Sequence, residues 1–177
     1  MVRRSDDSSR NAAYTVVEAS DSAVGEEIVL DERDIQSLLR TKAAVYGACS
    51  FMLRSIGLEF GAVERVYVAG GFGRFLDLEK SITIGLLPDL PVDSFTYLGN
   101  SALAGAHAML RSRAAREKVR VLADRVTYLE LNVSAAYMDE YTAALFLPHT
   151  DTDQFPSVKR WRSAEAAKRR SDTGARE

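Results

Sequence analysis

Apolar positions recur along the chain with two different periods. Tyr14–Glu18 and Glu27–Leu30 are short β-prone runs separated by a Ser/Asp/Gly turn, which predicts a hairpin. The stretch after Asp31 instead repeats its apolar residues every three or four positions, which predicts a long helix with one buried face. Asp31 is expected to cap this helix and Gly57 to end it. Cys49 lies on the apolar stripe, so we interpret it as a core residue.

Strands and helices alternate after Gly57. The predicted strands are Arg65–Ala69, Phe95–Leu98 and Val126–Leu131, and the predicted helices are Leu78–Ile84, Ser101–Leu110, a charged amphipathic helix after it, and a final one around Ala135–Phe146. This alternation predicts an α/β fold, a mixed sheet with packed helices. We expect one domain over residues 13–156, after a disordered lead-in over residues 1–12.

The last segment, residues 157–177, is basic. It holds seven basic and three acidic side chains, which leave it at +4, and its only large apolar residues are Val158 and Trp161. Such a tail is able to contact nucleic acid or an acidic partner, but a solvated, disordered tail is the interpretation we favour.

Composition narrows the class of protein. The 177 residues are 46% hydrophobic and 27% charged with a net charge of −2, which is typical of a globular protein and offers no footprint for nucleic acid or anionic membrane. No apolar run is long enough to span a bilayer and no signal peptide precedes the domain, so we expect a cytoplasmic protein. A single cysteine and two widely separated histidines predict no disulfide, no iron–sulfur cluster and no metal site in this chain.

A glycine-rich turn follows the strand Arg65–Ala69. Gly70 and Gly71 precede Phe72 and Gly73, and a helix begins soon afterwards. Glycines at the carboxyl end of a strand let the backbone approach a ligand, and the following helix favours an anion, so this pattern suits a nucleotide. It is neither G-x-G-x-x-G nor a Walker loop. The alternative is a tight turn with close packing.

Further candidates are less distinctive. Gly99 and Asn100 repeat the strand-to-helix pattern and are candidates for a ligand contact. Lys42 lies on or beside the apolar stripe of the long helix, either as a donor to the sugar or base of a nucleotide or as a lysine whose stem covers apolar surface. The carboxylate pairs Asp77 with Glu79 and Asp139 with Glu140 are explained by capping at helix starts.

Several separated segments together resemble one family. Val66–Gly73 is similar to the adenosine motif of the ATPase superfamily that contains actin, sugar kinases and heat-shock chaperones. Four runs and a helix signature resemble the reductive activators of corrinoid proteins: Gly70–Lys80, Ile84–Pro91, Leu98–Ala106, Ala144–Asp151 with Phe155–Val158, and Asp34-Ile35 followed by Thr41–Ala44. The resemblance runs from about Tyr14 to Val158.

The resemblance implies part of an actin-like, ribonuclease-H-like ATPase fold that binds ATP with Mg. Members of the family return a Co(II) corrinoid (cobalamin-type) cofactor to the Co(I) state used in methyl transfer, with a corrinoid protein as partner and a [2Fe–2S] domain in full-length relatives. Carried onto this sequence, Gly70, Gly71 and Phe72 would line the adenosine site, with Lys42 at the ribose or base. Gly99 and Asn100 would be secondary contacts.

The sequence also departs from that family. Cys49 cannot hold a cluster alone, and no Asp-x-Gly phosphate loop precedes Tyr14. The chain therefore resembles a fragment, a split subunit or a degenerate descendant, and we expect no reductase or ATPase activity from it alone. Two alternatives are a docking or dimerisation domain with a vestigial nucleotide site, and an unrelated α/β enzyme. Because half of an actin-like fold exposes apolar surface, we expect a homodimer or association with a missing N-terminal part.

Overall fold

A computed structural model describes residues 2–3, 13–71 and 73–174 of the protein. The chain forms two compact units, Met1–Lys42 and Ala43–Glu177, and each is described by itself. A long helix begins in the first unit and ends in the second.

The first unit contains a three-stranded antiparallel sheet. Its strands are β1 (Val2–Arg3), β2 (Ala13–Val17) and β3 (Ile28–Asp31), in the order β1-β2-β3. The hairpin predicted from the β-prone runs is confirmed. Pairing of Val2 and Arg3 with β2 corrects the predicted lead-in at these two residues, because backbone hydrogen bonds to a sheet edge do not require an apolar sequence. Residues 4–12 of that prediction lie outside the described residues.

Helix α1 (Glu32–Ser55) follows β3 and has the predicted ends. Asp34 N–H donates to Asp31 Oδ1 at 2.9 Å, and Asp31 N–H donates to Asp34 Oδ2 at 3.1 Å, so the two residues satisfy each other's backbone donors at the helix start. At the other end Gly57 adopts φ +75°, and Leu58 N–H donates to Leu53 O at 2.9 Å. This is the glycine-ended hydrogen-bond pattern that stops a helix.

The second unit alternates two strands with shorter helices. The elements are β4 (Val66–Ala69), α2 (Leu78–Thr83), β5 (Phe95–Gly99), α3 (Ser101–Arg111), α4 (Arg113–Ala123), α5 (Ala135–Ala143) and α6 (Pro156–Gly174). Strands β4 and β5 are parallel neighbours, with Val66 opposite Phe95 and Val68 opposite Tyr97. A parallel pair brings the carboxyl ends of both strands to the same edge.

The core of the second unit is built around Tyr46, whose side chain is 1% exposed. Its ring centroid lies 5.2 Å from that of Phe60, 5.3 Å from Phe155 and 5.5 Å from His149. The other buried apolar residues are Ala43, Ile82, Leu87, Phe95, Ala144 and Val158. Cys49 is half-buried and burial raises the pKa of its thiol, which agrees with a packing role.

The predicted strand Val126–Leu131 is wrong. Residues 126–130 are irregular and a short 3₁₀ turn, Leu131–Val133, follows. Val126 is 78% exposed and Tyr128 83% exposed, so these β-prone side chains have no surface to pack on. A strand is stabilised by pairing and packing with its neighbours, and sequence propensity alone does not supply them.

The predicted disorder from residue 157 onwards is wrong as far as residue 174, because α6 occupies that segment. Pro156 suits the first helical position, and Asp89 Oδ2 accepts the Ser157 N–H at 2.7 Å, which caps the helix from another part of the chain. The alanines, lysines and arginines that follow are strong helix formers. Helix α5 also ends at Ala143 and not at Phe146. Among the described residues, no helix is both long and apolar enough to cross a membrane.

Candidate functional site

The two glycine turns predicted separately lie side by side, and we call them the glycine edge (Gly70, Gly71, Gly99 and Asn100). Ala69 pairs with Gly99 across the parallel strands, and Gly70 N–H donates to Gly99 O at 2.8 Å. The edge is therefore formed by the carboxyl ends of β4 and β5. Ligands of α/β proteins bind beyond the carboxyl ends of parallel strands.

Gly71 and Asn100 of the glycine edge are exposed, and Gly70 and Gly99 are half-buried. Gly70 adopts φ +97° and Gly99 φ +64°, conformations that glycine takes without strain. Among the described residues, and apart from its chain neighbours, a Cβ added to Gly70, Gly71 or Gly99 would meet no atom within 4 Å. The described part of the chain therefore shows no close packing, the structural alternative for this turn, at these three positions. Of the described glycines in this turn, only Gly73 is closely packed, because a Cβ there would lie 2.7 Å from Val68 Cγ1.

Asn100 has a structural role at the same edge. Its Oδ1 accepts the Leu103 N–H at 3.0 Å and so caps helix α3. A ligand contact by Asn100 stays a prediction beside this observed role. Phe72, predicted to line the adenosine site, lies outside the described residues.

Lys42 belongs to the first unit, on α1, and its side chain is fully buried at 0% exposure. Burial lowers the pKa of its amine to about 8. A lysine that only covers apolar surface keeps its amine in water, so that interpretation is wrong for Lys42. Its contact with a nucleotide stays a prediction.

The buried amine makes stability depend on pH. The folded pKa of about 8 lies below the ordinary 10.5, so the unfolded chain holds more protons between these values and stability rises with pH across the window. We expect the unfolding free energy of the wild type, measured without nucleotide, to rise relative to that of a Lys42→Met variant. The difference between the two should change by up to about 3 kcal/mol from about pH 8 to about pH 10.5. Urea unfolding measures this gap, and a constant gap would contradict the burial.

The same substitution at Lys118 is the control for the pH experiment. Lys118 is exposed on α4, so its amine is solvated in both the folded and the unfolded chain. The gap between the wild type and Lys118→Met should stay flat across the same pH range.

A second concave feature, which we call the acidic cleft, lies in the second unit. It has a volume of about 490 Å³. Its carboxylates are Glu59, Asp89, Asp151 and Asp153, and its other lining residues are Tyr46, Ser50, Leu53, Arg54, Phe60, Gly61, Leu90, Gln154 and Pro156. The carboxylates come from three separate turns of the chain, so no local spacing in the sequence revealed the cleft.

Hydrogen bonds hold the walls of the cleft. Tyr46 Oη donates to Gln154 Oε1 at 2.8 Å, and Gln154 Nε2 donates to Asp151 Oδ2 at 3.2 Å. Asp89 accepts both the Ser157 N–H and the Ser157 hydroxyl, at 2.7 and 2.6 Å. Two of the cleft's four carboxylates, Asp89 and Asp151, therefore also fix the local structure.

The two predicted carboxylate caps have different outcomes. Asp77 Oδ1 accepts the Lys80 N–H at 3.1 Å at the start of α2, as predicted, and this bond lowers the pKa of Asp77. Glu140 lies instead inside α5, where it accepts the Ser50 hydroxyl at 2.8 Å and pairs with Arg54, so capping is wrong for Glu140. Over the part of the chain that the structure describes, no three His, Cys, Asp or Glu side chains are grouped to hold a metal ion.

Comparison with known proteins identifies the family. A family model described as the C-terminal domain of RACo, the ASKHA domain, matches residues 2–159. This chain belongs to that family. The resemblance seen in the sequence and the actin-like fold class are therefore confirmed, and membership of the ASKHA family suggests nucleotide binding.

Two relatives of the RACo-type domain cover most of the chain. A solved structure described as a reductive activator for corrinoid, iron-sulfur protein is 43% identical with a TM-score of 0.79, over 89% of this chain and 24% of that chain. The corrinoid activation enzyme RamQ of Eubacterium limosum is 25% identical over 135 residues, 76% of this chain and 23% of RamQ. The chain thus spans about a quarter of the length of these relatives.

Proposed function

We propose that this chain binds ATP with Mg at the glycine edge and is the ATP-binding portion of a reductive activator of a corrinoid protein. The observation that carries the proposal is the free space beside the glycines at the carboxyl ends of β4 and β5. Gly71 has no left-handed φ, and a Cβ there would meet no neighbour within 4 Å. Neither conformation nor internal packing requires glycine at this position, whereas close approach of a ligand to the backbone would.

The residues of the edge fit an adenosine group. Gly70 and Gly71 leave the backbone uncovered, and Phe72 would add an aromatic surface beside the base. Lys42 would donate a hydrogen bond to the ribose or base, in either protonation state of its amine. Gly99 and Asn100 would make secondary contacts where α3 begins. The nucleotide would supply binding energy that differs between ATP and ADP and so shifts the population of conformational states.

The proposed partner is a corrinoid protein of a methyltransferase system. Both relatives are named for corrinoid activation, and one of them for a corrinoid, iron-sulfur protein. In the proposed reaction, ATP binding drives the return of Co(II) to Co(I) in that partner. Cys49 alone cannot ligate an iron–sulfur cluster, so the proposal places the electron donor outside these 177 residues.

Calorimetric titration of the purified chain with MgATP and MgADP tests the site. The wild type should bind with a micromolar Kd, and Gly71→Val should weaken binding at least about tenfold, because the added methyl groups occupy the space that the nucleotide needs. Gly61→Val is the matched control, since Gly61 also has no left-handed φ and no atom within 4 Å of an added Cβ. It should bind like the wild type.

Two results would contradict the proposal in different ways. If Gly71→Val bound the nucleotide as tightly as the wild type, the nucleotide site would not be at the glycine edge. Absence of binding at millimolar nucleotide would leave the alternative, a docking or dimerisation domain with a vestigial site.

A further inference from the structure

A short turn, residues 73–76, follows the glycine edge along the chain. Its first three residues, Gly73–Phe75, form a 3₁₀ helix, and it begins two positions after Gly71. The turn packs against both β4 and β5, the two strands whose carboxyl ends form the glycine edge. Its place on these strands therefore fixes one end of the backbone segment whose other end is Gly71.

Strand β4 holds the first end of the 73–76 turn by packing. Gly73 is buried, and a Cβ at this position would lie 2.7 Å from Val68 Cγ1. Because glycine has no Cβ, the backbone of the turn lies directly against the Val68 side chain. Apolar packing is not directional, so this contact places the turn on the strand without orienting it.

Strand β5 holds the other end of the turn by a hydrogen bond. The Tyr97 hydroxyl donates to Leu76 O at 2.6 Å, although the two residues are 21 positions apart in the sequence. A hydrogen bond has a preferred angle as well as a preferred distance, so this bond orients the turn. Tyr97 is 39% exposed and is not part of the buried core, so its chief contact with the turn is this bond.

Both contacts come from one pair of strand residues. Val68 lies opposite Tyr97 in the parallel register, so the two side chains are on the same face of the strand pair and the turn lies over that face. The next pair is Ala69 with Gly99, which leaves Leu98 as an extra residue on β5. Such bulges are over-represented next to active sites, where they redirect the residues that follow. The pair that holds the turn is therefore directly followed by the glycine edge.

We propose that Tyr97 is a positioning residue of the nucleotide site. Its hydroxyl holds Leu76 O, which fixes the 73–76 turn, and the turn fixes the backbone that joins it to Gly71 in the arrangement that accepts adenosine. This inference rests on the proposed function, since it assigns a role at the same site. Tyr97 itself does not touch the nucleotide, so its substitution lowers the fraction of molecules that are ready to bind and raises the apparent Kd accordingly.

Calorimetric titration of Tyr97→Phe with MgATP and MgADP tests the inference. The variant keeps the ring and loses the bond to Leu76 O, so both Kd values should rise about threefold to tenfold, the effect of one hydrogen bond. The two losses should be equal, because the turn lies on the adenosine side that both nucleotides share. Tyr67→Phe is the matched control and should bind like the wild type. Tyr67 is 56% exposed on β4, and no described residue bonds to its hydroxyl.

Urea unfolding of the same samples separates positioning from stability. If Tyr97 only stabilised the fold, Tyr97→Phe would unfold at lower urea while the folded protein kept the wild-type Kd, and the inference would be overturned. Unequal losses for the two nucleotides, or an equal loss in Tyr67→Phe, would overturn it as well. The proposed function fails by a different result, a wild type that binds no nucleotide or a Gly71→Val variant that binds as tightly, and this inference would then fail with it.

Discussion

Replacing Gly85 with alanine should destabilise the second unit by about 4 kcal/mol or more. Gly85 ends α2 with φ +75°, which an alanine adopts only with strain. The new Cβ would also lie 2.2 Å from Pro148 O and 2.9 Å from Pro148 C. Pro148 is fully buried, and the backbone just after it is held by the Thr150 N–H bond to Ala143 O at 3.0 Å, so the clash is not relieved by moving a flexible side chain.

Gly57→Ala separates the strain from the clash. Gly57 ends α1 with the same φ of +75°, but a Cβ there would meet no atom within 4 Å. This variant should therefore lose only about 1 kcal/mol. Urea unfolding followed by circular dichroism compares the two, and equal losses would contradict the packing of Pro148 against the end of α2.

Tyr46→Ala should cost about 3–5 kcal/mol, the range for removing a large aromatic side chain from a core. Tyr46 is 1% exposed and its ring packs against those of Phe60, His149 and Phe155. The substitution leaves a cavity at the point where α1 meets the C-terminal part of the chain, and the surrounding rings cannot collapse fully into it.

Tyr46→Phe is the matched variant for the hydroxyl. It keeps the ring contacts and loses only the bond from Tyr46 Oη to Gln154 Oε1, which should cost about 1 kcal/mol. Burial raises the pKa of the Tyr46 phenol, so the hydroxyl stays a donor through the pH range of such measurements. Thermal unfolding should rank the alanine variant well below the phenylalanine variant, and the reverse order would contradict the central position of the ring.

Features set by local chemistry were predictable from the sequence. Asp31 and Gly57 fix the ends of α1, and Asp77 and Gly85 those of α2, because a capping side chain and a left-handed glycine act within a few residues of themselves. The apolar runs that became β4 and β5 were equally local signals.

Features set by residues far apart in the sequence were not predictable from local patterns. Val126 and Tyr128 have strand propensity but no strand beside them, so the propensity had no effect. Basic charge and few large apolar residues predict a solvated tail after Ser157, whereas the helix there depends partly on Asp89, far away in the sequence. The sequence predicts Glu140 as a capping carboxylate at a helix start. Its bond from the Ser50 hydroxyl shows a different role, and this partner lies 90 positions away in the sequence.

The candidate site divides in the same way. Gly70 and Gly99 were each identified from a strand followed by glycine, but their meeting depends on the parallel pairing of β4 with β5, which no local pattern encodes. The periodicity of α1 placed Lys42 near the apolar stripe without showing that its amine is fully buried. The acidic cleft was missed entirely, since its walls come together only in the folded chain.

The bonds that close the core of the second unit also set when it forms during synthesis. Ser50 bonds to a residue 90 positions later, and Tyr46 to one 108 positions later. At about 5–20 residues per second, the ribosome adds those later residues roughly 5–20 s after Tyr46. Phe155 and Val158, both buried, are among the last parts of the core to be made. The apolar face of α1 therefore stays exposed on the nascent chain until these residues are made, and a chaperone would be able to bind it during that time.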